Sequence, residues 1–193
     1  MTTIVTTASS DYVSMIGDQG ITSSLMHPNM NKIVQQNAWL IGVCGEDRIC
    51  DILQYVVKYP VVPKTLVKKP IEEWYSWIAT RVIPIIATAI QNSLHKSYAG
   101  TIGDSELLLA THGHVFLIGE TLGITNAEPY WSIGSGSHLA MGALTTQQYD
   151  PKWKEEHHKF GKIAISIAQQ HDPYTRGGIT GYLSYPDGFI EKI

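Results

Sequence analysis

The sequence predicts an α+β fold of layered sheets and helices, on three observations. Short blocks rich in β-branched or alternating apolar residues are bounded by turn chemistry. Other stretches carry apolar residues at the three-to-four spacing of a helix with one buried face. The two kinds come in runs, ordered as strands, two helices, strands, two helices and a strand, rather than in the alternation that builds a parallel sheet.

Residues 3–7 form the first strand block, and residues 12–16 follow across Ser9-Ser10-Asp11, which predicts a hairpin. Residues 32–34 and 39–43 predict a second pair around Gln35-Gln36-Asn37. From Glu46 the spacing Ile49, Ile52/Leu53, Val56 predicts a helix that ends at Tyr59-Pro60. A proline-punctuated linker, 61–69, leads to a longer helix that starts at Pro70, where a missing N–H costs nothing, and is kinked or split by Pro84. Residues 106–110 and 115–118 read as strands around His112-Gly113, with another at 131–133. Small residues over 134–143 suggest a closely packed helix. Phe160, Ile163, Ala164, Ile167 and Ala168 predict a helix over 152–170, and residues 182–185 a closing strand.

The chain has 193 residues and is 44% apolar, enough for one substantial core, so residues 1–193 are expected to form a single domain. With a formal charge of −3 and no basic stripe, nucleic acid is not an expected partner. The start, MTTIVTTASS, lacks a basic region and an apolar stretch, and the apolar run at 82–90 is broken by Pro84 and Thr88. Neither secretion nor a membrane span is expected, and the location is read as cytoplasmic. Cys44 and Cys50 have no second pair and read as free core thiols. His112-Gly113-His114 spans a tight turn and His157-His158 points two rings to different sides of a helix, so no metal or cofactor is expected.

Thr2 follows the initiator methionine, which is commonly trimmed before small side chains. Its hydroxyl would then lie beside a free α-amine, whose reference pKa of about 7.7–8.0 leaves much of it neutral and able to take the hydroxyl proton. Alone, this feature is an ordinary chain start. It gains weight with Ile16-Gly17-Asp18, Asn31-Lys32-Ile33, Val43-Cys44-Gly45, Ile133-Gly134-Ser135-Gly136 and Asp172-Pro173-Tyr174-Thr175-Arg176-Gly177-Gly178. In that order these segments resemble the proteasome β-subunit family of N-terminal nucleophile hydrolases, most nearly its bacterial HslV branch, whose mature chains also begin Thr-Thr-Ile-Val. The likeness runs from Thr2 to Gly178, although residues 58–104 match only as helix.

The resemblance implies a four-layer αββα sandwich of two antiparallel sheets flanked by helices. It makes Thr2 the nucleophile with its own amine as general base, Lys32 the positive charge that eases deprotonation, and Asp18 the partner that orients Lys32. Gly45 would offer its backbone N–H to the oxyanion, and Ser135, Asp172 and Thr175 would support the terminus by hydrogen bonds. Ile21, Thr22, Met30, Val43 and Asp47 would contact substrate, Thr22 through its backbone. Asp47, with Asp51 one turn farther, would favour Lys or Arg before the scissile bond; a solvated helix start explains these acids equally well. The sequence departs from the family's pattern in a shorter Asp18-to-Lys32 interval, in Glu46 and Asp47 after Gly45, and in one extra residue before Gly177-Gly178.

The function so implied is a threonine endopeptidase, assembled in homo-oligomeric rings and acting on unfolded proteins or peptides. HslV-like members are fed by an ATP-driven unfoldase, which makes such an unfoldase a candidate partner. The alternative is a catalytically inactive structural or binding subunit of the same fold. A small-amide hydrolase is a third reading, against which stands the lack of an extra domain to close a small-molecule pocket.

Overall fold

The computed structural model describes residues 2–20, 31–94 and 100–193. In chain order its elements are β1 (Thr3–Ala8), β2 (Val13–Asp18), β3 (Ile33–Gln36), β4 (Trp39–Cys44), α1 (Asp47–Asp51), α2 (Ile71–Trp77), α3 (Ile83–Leu94), β5 (Glu106–Thr111), β6 (His114–Ile118), β7 (Ile124–Asn126), β8 (Tyr130–Gly134), α4 (Ser137–Gln147), α5 (Trp153–His171), β9 (Ile179–Ser184) and β10 (Ile190–Lys192). A wide π-helical turn, Ile52–Val56, continues α1, and a second, Ile78–Val82, joins α2 to α3.

The strands form two antiparallel sheets. The first has the order β10-β9-β2-β1-β8 and the second β3-β4-β5-β6-β7. Because successive side chains on a strand point to opposite faces, each strand supplies two cores. In β5, Leu107 and Leu109 join the core beneath α1, α2 and α3, while Leu108 and Ala110 face the other sheet. In β6, Phe116 and Ile118 take the helix side and Val115 and Leu117 the sheet side. In the first sheet, Ile4, Val13 and Met15 meet the second sheet, whereas Val5 and Ile16 pack under Leu144, Ala164 and Ile165 of α4 and α5. Three apolar layers between four structural layers give the expected αββα sandwich.

Two short strands, β7 and β10, are additions to the sequence-based expectation, which had none at either place. Each has three residues and flanks one edge of its sheet, so neither carries a recognisable period-2 run. The helix after Glu46 also differs. The Val57 N–H reaches the Ile52 carbonyl at 2.9 Å, a five-residue step that widens the turn. The wider turn shifts the helical register, leaving Val56 44% exposed and placing Gln54 inside at 3%. The break expected at Pro84 lies in the preceding turn: Pro84 cannot donate to the carbonyl four residues back and its ring crowds it, and the wide turn Ile78–Val82 ends just before Pro84.

Among the described residues no helix is long and apolar enough to cross a membrane, and no cluster of three or more His, Cys, Asp or Glu could hold a metal. The paired histidines serve packing. His114 lies 3.3 Å from a Glu128 carboxylate oxygen and against the Trp74 ring. His157 is fully buried, with Nδ1 2.7 Å from the Thr7 hydroxyl and Nε2 3.0 Å from that of Ser9, and its ring stacks on Tyr12 at 4.1 Å. His158 bonds the Tyr12 hydroxyl at 2.7 Å.

Burial, reinforced by the neighbouring His158, lowers the His157 pKa from 6.5 to about 4, against a smaller opposing pull from Asp11. The fold therefore favours the neutral ring. Its contribution is complete above pH 6.5 and is lost as the pH falls toward about 4, a total loss of about 3 kcal/mol. Urea denaturation across this range should show wild-type stability falling more steeply than that of His157→Gln, by about this amount. Parallel pH curves for the two proteins would refute the assignment.

Candidate active site

The antiparallel register brings three strand ends together. Ile4 pairs with Gly17 and Thr3 with Gly134, so the start of β1 lies between the end of β2 and the end of β8. Thr2, just before β1, is 3% exposed and Asp18, which closes β2, is 1% exposed. A carboxylate this deep needs donors in place of water. Asp18 Oδ1 accepts the Thr3 N–H at 2.7 Å and lies 3.3 Å from the Thr2 hydroxyl. Its Oδ2 accepts the N–H groups of Gly20 at 3.1 Å and Arg176 at 3.3 Å.

On the other side, the Ser135 N–H donates to the Thr2 carbonyl at 2.9 Å. The strand can turn there because residue 134 is glycine. Its φ is +94°, and a Cβ would lie 1.9 Å from the Thr2 carbonyl oxygen. The Ser135 hydroxyl then donates to Asp172 Oδ2 at 2.7 Å, and the Thr175 hydroxyl donates to the same oxygen at 2.6 Å. Asp172 caps α5, and its Oδ1 takes the Tyr174 N–H at 3.1 Å. Burial pushes the Asp172 pKa up, but hydrogen bonds from the Thr175 and Ser135 hydroxyls and the Tyr174 N–H oppose it, and the carboxyl stays below its ordinary value. Just before Gly177-Gly178, Arg176 turns its N–H to Asp18, while the Gln19 N–H donates to the Gly178 carbonyl at 2.9 Å.

Lys32 comes from the second sheet, immediately before β3. Burial lowers its pKa, and the negative charge of Asp18 is the largest opposing influence, followed by Cys50, Cys44 and Asp47. Its carbonyl accepts the Gln54 side-chain amide at 3.0 Å. Gly45 follows β4 with φ +120°, and a Cβ there would lie 2.4 Å from Ser105 Cα. The Ser105 hydroxyl accepts the Glu46 N–H at 3.1 Å and so fixes the turn after Gly45.

Thr2, Asp18, Ser135, Asp172 and Thr175 thus share one hydrogen-bonded network, to which Lys32 is joined by charge. Gly45 stands at the neighbouring end of the second sheet. Val43 is buried in the core beneath the helices, and Asp47 is exposed at the start of α1. Ile21, Thr22 and Met30 lie outside the described residues. Sequence reasoning missed Gln54 and Ser105, which hold the backbone at Lys32 and Gly45; no local pattern marks either. It also missed Thr3, whose hydroxyl accepts the Gly136 N–H at 3.0 Å and meets that of Thr175.

No family model matches the chain, and no curated protein does. Solved structures do. Thiobacillus denitrificans BPH in complex with epoxomicin superposes with a TM-score of 0.71 at 13% identity, over 95% of this chain and 98% of that one. A second structure of Thiobacillus denitrificans BPH gives 0.70 at 13% identity, over 95% of this chain and 97% of that one. Eukaryotic HslV from Trypanosoma brucei gives 0.66 at 15% identity, over 94% and 98%. At these identities it is the architecture that is shared, and the architecture of this chain is the proteasome β-subunit fold in its HslV-like form.

Proposed function

We propose that this chain is a threonine-type endopeptidase subunit that works once removal of Met1 has freed the Thr2 amine. The observation that carries the reading is the position of Thr2. Its hydroxyl lies 3.3 Å from a fully donor-lined Asp18, and its carbonyl is held by Ser135, so the residue is fixed at both ends.

In this reading the Thr2 hydroxyl oxygen attacks the peptide carbonyl and its proton passes to the Thr2 amine. Lys32 stabilises the developing alkoxide electrostatically, and the Gly45 N–H receives the oxyanion of the tetrahedral intermediate. The C–N bond then breaks, the leaving amine takes the proton, and the acyl group remains as an ester on Thr2. Water, deprotonated by the same amine, attacks the ester and releases the second product. Asp18 orients Lys32, and Ser135, Asp172 and Thr175 position the terminus. Asp47 contributes to a preference for basic side chains before the scissile bond, alongside Ile21, Thr22 and Met30 in contact with substrate; Val43, sealed in the core beneath the helices, takes no part.

We further propose that the chain works as one peptidase domain in homo-oligomeric rings in the cytoplasm, on unfolded proteins or peptides and with an ATP-driven unfoldase as partner. Support for self-association comes from apolar side chains exposed together around the first wide turn: Tyr55 at 52%, Val56 at 44% and Val61 at 79%. Val56 lines a groove with Val57, Pro84 and Ile85, and Val61 lines a second with Pro84 and Ile85. Surfaces of this kind on soluble proteins are commonly covered.

Intact-protein mass spectrometry tests the central claim. The expected result is loss of Met1 and one covalent adduct with a peptide epoxyketone, which joins the hydroxyl and the free amine of an N-terminal threonine; Thr2→Ala should abolish the adduct. Retained Met1 and no adduct would instead leave an inactive subunit. Lys32→Met should slow adduct formation by roughly 10²-fold or more, the scale of an assisted proton transfer; an unchanged rate would remove Lys32 from the mechanism. Light scattering should report a multi-subunit assembly that Val56→Asp weakens, and a monomeric wild type would end the ring proposal.

A further inference from the structure

A carboxylate can only accept, so both hydroxyls that reach Asp172 Oδ2 must donate to it: Ser135 at 2.7 Å and Thr175 at 2.6 Å. Thr175 has one hydroxyl proton, and this bond uses it. Where the Thr175 and Thr3 oxygens meet at 2.5 Å, Thr175 is therefore the acceptor and Thr3 the donor. The Thr3 oxygen in turn accepts the Gly136 N–H at 3.0 Å, at the N-terminus of α4. The donors run in one direction, from the Gly136 N–H through the Thr3 and Thr175 hydroxyls to Asp172. Space for a side chain at residue 136 is absent, since a Cβ there would lie 2.5 Å from the Thr3 hydroxyl oxygen and 2.6 Å from that of Thr175.

We infer that Thr3 is a positioning residue for the reaction proposed above, and that its hydroxyl, as the middle donor of this chain, keeps Asp172 charged and Ser135 locked onto Thr2. The inference rests on the peptidase reading for its catalytic consequence and on geometry alone for the network. Two bonds make Thr3 a junction: its backbone N–H goes to Asp18 at 2.7 Å, and its side chain reaches the Asp172 network. Both carboxylates that frame Thr2 are thus tied to the residue that follows it. Donor chains of this kind polarise one another, so loss of the middle member weakens the terminal bond as well. The low pKa of Asp172, set against its burial, is the state such a chain maintains.

The test compares the Met1-free wild type with Thr3→Val, which keeps the shape and removes the hydroxyl, and with Thr3→Ser, which keeps the hydroxyl. The Asp172 carboxyl is titrated by ¹³C NMR, its signal assigned from Asp172→Asn, and epoxyketone adduct formation is followed against pH. In Thr3→Val the Asp172 titration should move to higher pH, the adduct rate should fall roughly tenfold and its acid limb should move in the same direction. Thr3→Ser should restore all three. An unmoved Asp172 titration in folded Thr3→Val, or a Thr3→Ser protein as impaired as Thr3→Val, would overturn the inference. If Thr3→Val does not fold, Thr3→Cys, a weak donor of similar size, is expected to show the same shifts and is judged by the same criteria. A wild type that forms no adduct defeats the peptidase reading, while the NMR titration still decides whether Thr3 governs Asp172.

Discussion

A carboxylate withdrawn from water must find donors within the protein, and at Asp18 that requirement organises the whole end of the first sheet. Its four donors among the described residues come from the start of β1, the chain just after β2 and the loop between α5 and β9. None of these segments could move by more than a fraction of an ångström without stripping a buried charge, a loss that costs several kcal/mol. Thr2 is held in place because it begins the strand this carboxylate anchors. The register of β1 between β2 and β8 follows from the same anchor, since one residue of slip would turn Ile4 from the inter-sheet core toward the helices and Val5 the other way.

Backbone shape complements the charge. Two left-handed glycines stand where the chain leaves a strand beside the site, and each is crowded from outside: Gly134 by the Thr2 carbonyl and Gly45 by Ser105. A side chain at either place would push apart elements that the hydrogen bonds pull together. At Gly134 the contact also sets the direction of the next peptide, which aims the Ser135 N–H at Thr2.

Much of this was legible in the sequence, for reasons that differ from element to element. β1, β2 and β4 could be read because β-branched or apolar runs end at turn residues, and α5 because its apolar positions recur at helical spacing over nineteen residues. The order of Thr2, Asp18, Lys32, Gly134-Ser135-Gly136 and Asp172 to Thr175 could be read only through its resemblance to the proteasome β-subunit family, since each segment taken singly passes for a turn, a loop or a strand end. Three-residue edge strands carry no such pattern. The wide turn at Ile52–Val56 defeated the reading of Val56 because a period of 3.6 residues is assumed in it, and one five-residue step exchanges inside for outside. Gln54 became visible only through that exchange. Thr3 was hidden differently: in a run of β-branched residues a threonine passes for strand chemistry, and its hydroxyl acquires meaning only from α4 and the loop after α5, more than 130 residues away.

The site also depends on how the two sheets face each other. Lys32 belongs to the second sheet and Asp18 to the first, so the charge relation between them is set by inter-sheet packing and not by either sheet alone. Ile33, next to Lys32, supplies the contact: it lies in the inter-sheet core, and its side chain comes within 3.4 Å of where a Cβ on Gly17 would stand. Gly17 immediately precedes Asp18. Close approach at this pair of neighbours sets Lys32 on one sheet beside Asp18 on the other, and glycine at 42 permits the same closeness one strand over, where Met15 and Ile4 fill the space. At 42 an added Cβ would crowd Met15 Sδ at 2.9 Å, whereas at 17 it would stand in ordinary van der Waals contact, 3.4 Å from Ile33 and Ile4. A side chain at 17 longer than alanine's would spread the sheets beside Lys32, leaving Thr2 anchored by its own sheet but the positive charge displaced.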